Sequence, residues 1–168
     1  NTILGIHTHN DSGLGVANAL AAVRAGANQV QGTINGYGER CGNANLCTII
    51  ANLNLKMGIN CISDENLTKL YEVSNFISDM ANLSKDGKAP FIGKSAFAHK
   101  GGIHVSAIVK NNLTYEHVDP QKIGNQRRIL ISDLAGRSNI LYKLNELKIA
   151  NEVSDENISE ILSELKKL

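Results

Sequence analysis

The pattern of apolar and polar positions changes character once along the chain. Ile3 to His9 is a short apolar, β-branched run, and residues 14 to 25 then set Leu14, Ala17, Leu20, Ala21 and Arg24 at helical spacing before Gly26 stops the helix. Gln29 to Ile34 predicts a second strand. After a glycine-bearing loop, an alanine- and leucine-rich helix is expected from about Ala44 to Met57, ended by Gly58. Consecutive βα units with crossover helices imply parallel strands and a right-handed connection, as in a doubly wound sheet or a β/α barrel. A parallel pair must be covered on both faces, so this segment is expected to be the last part of a larger sheet whose earlier strands are absent. The chain also opens on Asn1 and runs at once into a strand pattern, as though cut from something longer.

Beyond Cys61 the pattern is helical. Ser63 stands at an N-cap position with Asp64 and Glu65 in the first turn, where acidic groups favour the helix dipole. Leu67, Leu70, Val73, Ile77 and Met80 then form a stripe, predicting an amphipathic helix of about four turns. The same tetrapeptide, SDEN, returns at residues 154 to 157 and opens a final helix with Ile158, Ile161, Leu162, Leu165 and Leu168 on one face. Between them, residues 83 to 102 form a long polar connection of the kind that carries function. Two apolar pieces follow, RRILIS and the helix-like SNILYKLNEL.

Composition narrows the class. With 17 basic and 16 acidic residues in 168, a net charge of +1 and no basic run, the chain has no electrostatic footprint for nucleic acid or an anionic membrane surface. No window approaches the ~18 apolar residues of a membrane span, and the first residues lack the layout of a secretory signal. A soluble, cytoplasmic protein of about one domain is expected. Cys41, Cys47 and Cys61 are an odd number without a C-x-x-C pair, which predicts reduced and mostly buried thiols.

Three segments carry candidate chemistry. In HTHND (7 to 11), residues i and i+2 of a strand share a face, so His7 and His9 aim two imidazoles into one space at the strand's C-terminal end, a pairing suited to a divalent metal. Two satisfied surface histidines are the alternative. In NGYGERCGN (35 to 43), Gly36, Gly38 and Gly42 allow close approach of a ligand, while Glu39, Arg40 and Asn43 offer a carboxylate, a guanidinium fork and an amide oxygen. The competing account is a tight turn with a helix cap at Asn43 and a solvated Glu39–Arg40 pair. In FAHKGGIHVSA (97 to 107), His99 and His104 flank a glycine pair at a helix start, where the cationic form of histidine is disfavoured and a neutral general base is suited. The competing account is a helix-capping segment with incidental histidines. Downstream, LTYEHVDP adds Tyr115, Glu116, His117 and Asp119.

Taken in this order, HTHND, GYGERCGN and FAHKGGIH make the chain resemble, over essentially its whole length, the metal-dependent Claisen-condensing synthases that act on 2-oxo acids. That family includes the 2-isopropylmalate, homocitrate and citramalate synthases, and the tail from residue 97 onward is most similar to the citramalate branch. The resemblance implies an α/β fold: residues 1 to 62 as the last two βα units of a TIM barrel, 63 to 93 as a helical linker, and 94 to 168 as a second, mainly helical linker subdomain. It implies that His7, His9 and Asn43 bind a divalent ion (manganese, magnesium or zinc) and that His104 with Tyr115 takes the proton from acetyl-CoA. Glu39 would be a polar group of the site, and Gly36, Gly38, Arg40 and Gly42 would admit substrate or CoA. Pyruvate is the favoured 2-oxo acid, citramalate the product and a homodimer the assembly, with the linker histidine and tyrosine reaching the neighbouring subunit's barrel. The family's further metal ligand, an aspartate in an R-D-G or D-R-E motif, has no counterpart in this chain. Two other readings remain: a lyase of the same superfamily running carbon–carbon cleavage, or a non-catalytic dimerisation and binding fragment.

Overall fold

The computed structural model describes residues 2–132 and 135–167. It divides into two compact units, the first Asn1–Ala96 with Gln121–Asn125 and the second Phe97–Pro120 with Gln126–Leu168.

The first unit contains β1 (Gly5–His7), α1 (Gly15–Arg24), β2 (Gln29–Gln31), α2 (Leu46–Lys56), α3 (Asp64–Leu67) and α4 (Leu70–Ala81). The strands pair in parallel, Ile6 opposite Val30 and His7 opposite Gln31, as the βα order predicts. Both are shorter than the runs Ile3 to His9 and Gln29 to Ile34. After His7 and Gln31 the backbone leaves the strand pair for bonds with the 42 to 46 segment: Ala44 N donates to Thr8 O, and Thr33 N donates to Ala44 O. Ile3 and Leu4 are exposed, as befits a parallel pair with open edges.

The core of this unit gathers Ala19, Ala44, Ile49 and Leu53, with Ile6, Val16, Leu20, Val23, Val30, Leu46 and Met57 packed against them. The inward face of α1 is therefore Gly15, Val16, Ala19, Leu20 and Val23, which shares only Leu20 with the predicted stripe. Leu14 sits at the N-cap and is exposed, and Ala17 and Ala21 point away from α2. Asn45, not Asn43, caps α2, its side chain accepting from Cys47 N at 2.9 Å. Removing the wedge at Ile49 by Ala would cost about 2–5 kcal/mol.

The expected four-turn helix breaks in two. Ser63 caps α3 through Asn66 N, the chain turns at Thr68–Lys69, and α4 starts again at Leu70. The buried face of α4 is Leu70, Ser74 and Ser78, while Val73, Phe76 and Met80 are exposed. Side-chain hydrogen bonding outcompetes hydrophobicity here, because Ser74 and Ser78 meet polar groups of the 35 to 37 turn.

The second unit holds β3 (Ala98–His99), α5 (Gly102–Lys110), β4 (Arg128–Ile129), α6 (Arg137–Glu146) and α7 (Asp155–Leu165). β3 and β4 pair in parallel, with Leu130 N donating to His99 O. Ile140, Leu144 and Ile158 form its core, joined by Ile131, Leu141, Val153, Leu162 and Leu165. Ser154 caps α7 through Asn157 N just as Ser63 caps α3, so the repeated SDEN marks two equal caps. Ile161 on the predicted stripe is exposed, and Leu168 lies outside the described residues. Fully buried Asn139 donates to Lys100 O and Leu130 O and accepts from Gly136 N. All three cysteines are free, but only Cys47 is buried; Cys41 and Cys61 are exposed, contrary to the expectation of mostly buried thiols. Among the described residues no helix is long and apolar enough to cross a membrane.

Candidate functional site

In the first unit, the segment after β1 and the end of the glycine loop run side by side in opposite directions. Asn10 N donates to Gly42 O and Ala44 N donates to Thr8 O, both at 2.9 Å, so His9 and Asn43 stand directly opposite in an antiparallel bridge. Opposed residues of such a bridge share a face and, flanked rather than joined by the hydrogen bonds, bring their side chains close. His7, two residues before His9, points its imidazole the same way: the two Nε2 atoms are 3.2 Å apart. HTHND and GYGERCGN, 25 or more residues apart in sequence, thus become one site.

The glycines serve this loop's own packing. A Cβ on Gly42 would lie 2.1 Å from Gly36 O, and its φ of +87° suits no other residue. A Cβ on Gly38 would lie 2.4 Å from Asn43 Nδ2. That amide donates to Tyr37 O at 3.0 Å, which fixes its flip and leaves Asn43 Oδ1 free. Asn43 Oδ1 and His9 Nδ1 are buried without a hydrogen-bond partner. Unmet buried polar atoms each cost about 1–3 kcal/mol, which marks a place where another group belongs.

A divalent ion fits a set made of His7 Nε2, His9 Nε2 and Asn43 Oδ1, with His9 Nδ1, the other ring nitrogen, outside it. Two ligand atoms ~2.1 Å from a shared ion lie ~3.0–3.4 Å apart, and the 3.2 Å between the imidazole nitrogens falls in that interval. The donor set of two imidazoles and one amide oxygen is neutral. Among the described residues no group of three or more His, Cys, Asp and Glu side chains gathers to hold a metal.

Arg40 pairs more closely with Asp11 than with Glu39. Held at φ +58°, it makes a forked pair with Asp11, Nε to Oδ1 at 2.6 Å and Nη2 to Oδ2 at 3.0 Å, while Glu39 is 3.9 Å from Nη1 and 88% exposed. Those hydrogen bonds from Arg40 hold the Asp11 carboxyl below its ordinary range. The last residue of HTHND is thus bonded to the middle of the glycine loop. Beneath the loop, Asn35 (φ +62°) accepts from Ser74 Oγ at 2.6 Å and donates to Ser74 O and Ser78 Oγ, and Tyr37 Oη joins Ser78 Oγ at 3.0 Å. The reading of the sequence missed this network. The signal was a pair of serines four residues apart on a face otherwise continuing Leu67 and Leu70.

In the second unit, His104 lies in the first turn of α5 and Tyr115 in the turn after it. Their rings stack, with centroids 4.1 Å apart and planes at 25°. Both are exposed. His99 does not join them; its Nε2 is 3.2 Å from Glu116 Oε1, behind the turn. Arg127 forks onto the same carboxylate, Nε to Oε1 at 2.6 Å and Nη2 to Oε2 at 2.5 Å. Burial pushes the His99 imidazole below its usual value, outweighing the carboxylate beside it. Burial would raise Glu116, but the hydrogen bonds and charge of Arg127 prevail and hold it below the ordinary range.

Two family models match the chain, HMGL-like over residues 1–77 and homocitrate synthase post-HMGL domain-like over residues 91–168. The chain is 58% identical to an (R)-citramalate synthase of Synechocystis sp. over 98% of this chain and 30% of that protein. It is 53% identical to one of Aquifex aeolicus over 98% of this chain and 31% of that protein. A 2-isopropylmalate synthase of Saccharolobus solfataricus is 39% identical over 99% of this chain and 42% of that protein. The chain spans about a third of the length of these (R)-citramalate synthases.

Proposed function

We propose that this chain, matched by the HMGL-like model of a TIM-barrel family over residues 1–77 and by the homocitrate synthase post-HMGL domain-like model over residues 91–168, is part of a protein that condenses acetyl-CoA with pyruvate to give citramalate. In this reading residues 1–62 close a barrel with its last two βα units, 63–93 form a helical linker and 94–168 a second linker subdomain, and the protein works as a homodimer. The exposed strand edges and the outward-facing Ile3 and Leu4 support the first part, since parallel strands are stable only when covered.

The observation that carries the reading is the convergence of His7, His9 and Asn43, with the amide oxygen of Asn43 left unpaired and buried. These three would hold a divalent ion, manganese, magnesium or zinc; when bound, it polarises the keto group of the 2-oxo acid. The protein's own residues do the rest. His104 takes a proton from the methyl of acetyl-CoA, with the Tyr115 ring stacked on it to fix the imidazole's orientation. The resulting enolate carbon bonds to the keto carbon, whose oxygen gains the negative charge and then a proton. Water afterwards cleaves the thioester and CoA leaves as the thiol. Gly36, Gly38 and Gly42 keep the floor of the loop free of side chains, Arg40 bound to Asp11 holds its flank, and exposed Glu39 stands where a substrate or CoA group could meet it.

The test is thiol release by the full-length protein with acetyl-CoA and pyruvate, with citramalate identified as product. Preference for a longer or branched 2-oxo acid would replace the substrate in this reading by that of a 2-isopropylmalate or homocitrate synthase. A second reading applies to the 168 residues alone, because no carboxylate joins His7, His9 and Asn43 among the described residues: by itself the chain binds without turning over. Turnover near that of the full-length protein would overturn it.

A further inference from the structure

We propose that His99, Glu116 and Arg127 form a positioning device that sets the geometry of the His104–Tyr115 ring pair. The inference rests on the assignment of His104 as base and goes beyond it by naming what holds the base's neighbour in place. The pair cannot hold itself. Both rings are exposed, and a stacked contact is worth only about 1 kcal/mol. The next residue along the chain is the opposite case. The Glu116 side chain is 1% exposed and its carboxylate is gripped on both oxygens by the Arg127 fork, with His99 at 3.2 Å.

A bidentate pair fixes the plane of a carboxylate as well as its position. The carboxylate in turn joins three segments. His99 ends the strand that leads through Lys100 and Gly101 into α5, the helix of His104; Glu116 belongs to the turn of Tyr115; Arg127 precedes β4. Main-chain bonds tie the same pieces, Arg128 N to Phe97 O, Leu130 N to His99 O and Glu116 N to Asn112 O. The ring of His117 also stacks in parallel on Phe97, 6.1 Å between centroids, so both residues after Tyr115 are anchored. Replacing a buried ion pair by well-packed apolar residues is often neutral or stabilising, so stability alone does not account for charges here. Directional fixing of one turn against one helix does.

The experiment uses the full-length protein with Glu116→Gln, which keeps the size and loses the charge, and Arg127→Lys, which keeps the charge and loses the fork. Each variant is first checked for a cooperative thermal transition. The expected result is a fall in kcat of about tenfold or more with KM for both substrates little changed, since misplacement of about an ångström is enough to slow an oriented step. In protein labelled with ring-13C histidine, the signal of His104, assigned through His104→Ala, should lose the shift caused by the Tyr115 ring, as it does in Tyr115→Leu. A folded Glu116→Gln variant with unchanged kcat and an unchanged His104 signal overturns the proposal, as does a rise in KM alone. If Glu116→Gln does not fold, Arg127→Lys decides by the same criteria. Full turnover by His104→Ala would remove the assignment of the base, while the response of the His104 signal to Glu116→Gln would still decide the positioning.

Discussion

His9 with Asn43 and His104 with Tyr115 are built by opposite means. The first pair is set by main chain: two hydrogen bonds, Asn10 N to Gly42 O and Ala44 N to Thr8 O, put the residues opposite each other whatever their side chains are. The second is set by side chains, an exposed ring stack beside a buried carboxylate with two cationic or imidazole neighbours. A group held by ladder bonds moves only if the ladder breaks, which suits ligands that must wait at fixed spacing with a buried oxygen unpaired. A group held by a turn and a ring contact depends on its side-chain neighbours for its orientation. Position is thus set by different kinds of bond, backbone for the first and side chain for the second.

The sharpest way to break this contrast is to alter one ring in each pair. In the full-length protein, His9→Ala should weaken divalent metal binding by more than the ~10–100-fold typical of losing an outer partner and abolish metal-dependent turnover. His104→Ala should leave the metal titration unchanged and lower kcat by about 10²–10⁴-fold. An unchanged titration for His9→Ala, read by calorimetry, would remove the histidine from the metal site.

A smaller effect tests the backbone itself. Gly42→Ala puts a Cβ 2.1 Å from Gly36 O at a φ of +87°, and should cost at least ~2 kcal/mol in urea unfolding. Metal affinity should fall with it, because the strand of Asn43 must shift. The corresponding change in the second unit, Gly101→Ala, meets only the His104 ring at 4.0 Å and should be mild. Equal costs would mean that the glycine loop is not what fixes the first pair.

The mildest prediction concerns acid. His99 is depressed below its ordinary 6.5 by burial, so the unfolded chain takes up a proton before the folded one does. Stability from this group is complete above that value and is lost as pH falls from 6.5 toward the folded value. Glu116, held below its ordinary 4.5 although burial opposes it, adds a further loss as pH drops through the carboxylate range. Amide protection factors at Val105 and Ile129, taken against the intrinsic exchange rate at each pH, should therefore fall as pH drops below 6.5, and this response should vanish in His99→Gln. Flat protection factors down to the carboxylate range would remove His99 from the account.

Local signals were legible where one residue decides the outcome. Ser63 and Ser154 cap their helices as SDEN predicts, Gly26 follows the end of α1, and the βα order gives parallel pairing of β1 with β2. Periodicity misled where polar partners competed with burial. Val73 and Met80 fit a stripe, yet Ser74 and Ser78 are buried because Asn35 and Tyr37 meet them. The solvated pairing of Glu39 with Arg40 is present but long, 3.9 Å, because a left-handed Arg40 aims its fork at Asp11, 29 residues earlier.

The sequence by itself determined the helix caps, the order of βα units and the three motifs in which chemistry is concentrated, because each depends on a few neighbouring residues and their intrinsic preferences. Only the tertiary structure decided which groups meet: His9 with Asn43 across a bridge, the amide of Asn43 turned so that its oxygen is left unpaired, and Arg127 with His99 on Glu116. These depend on contacts between residues far apart in the chain, where register and burial, not local propensity, choose the partner.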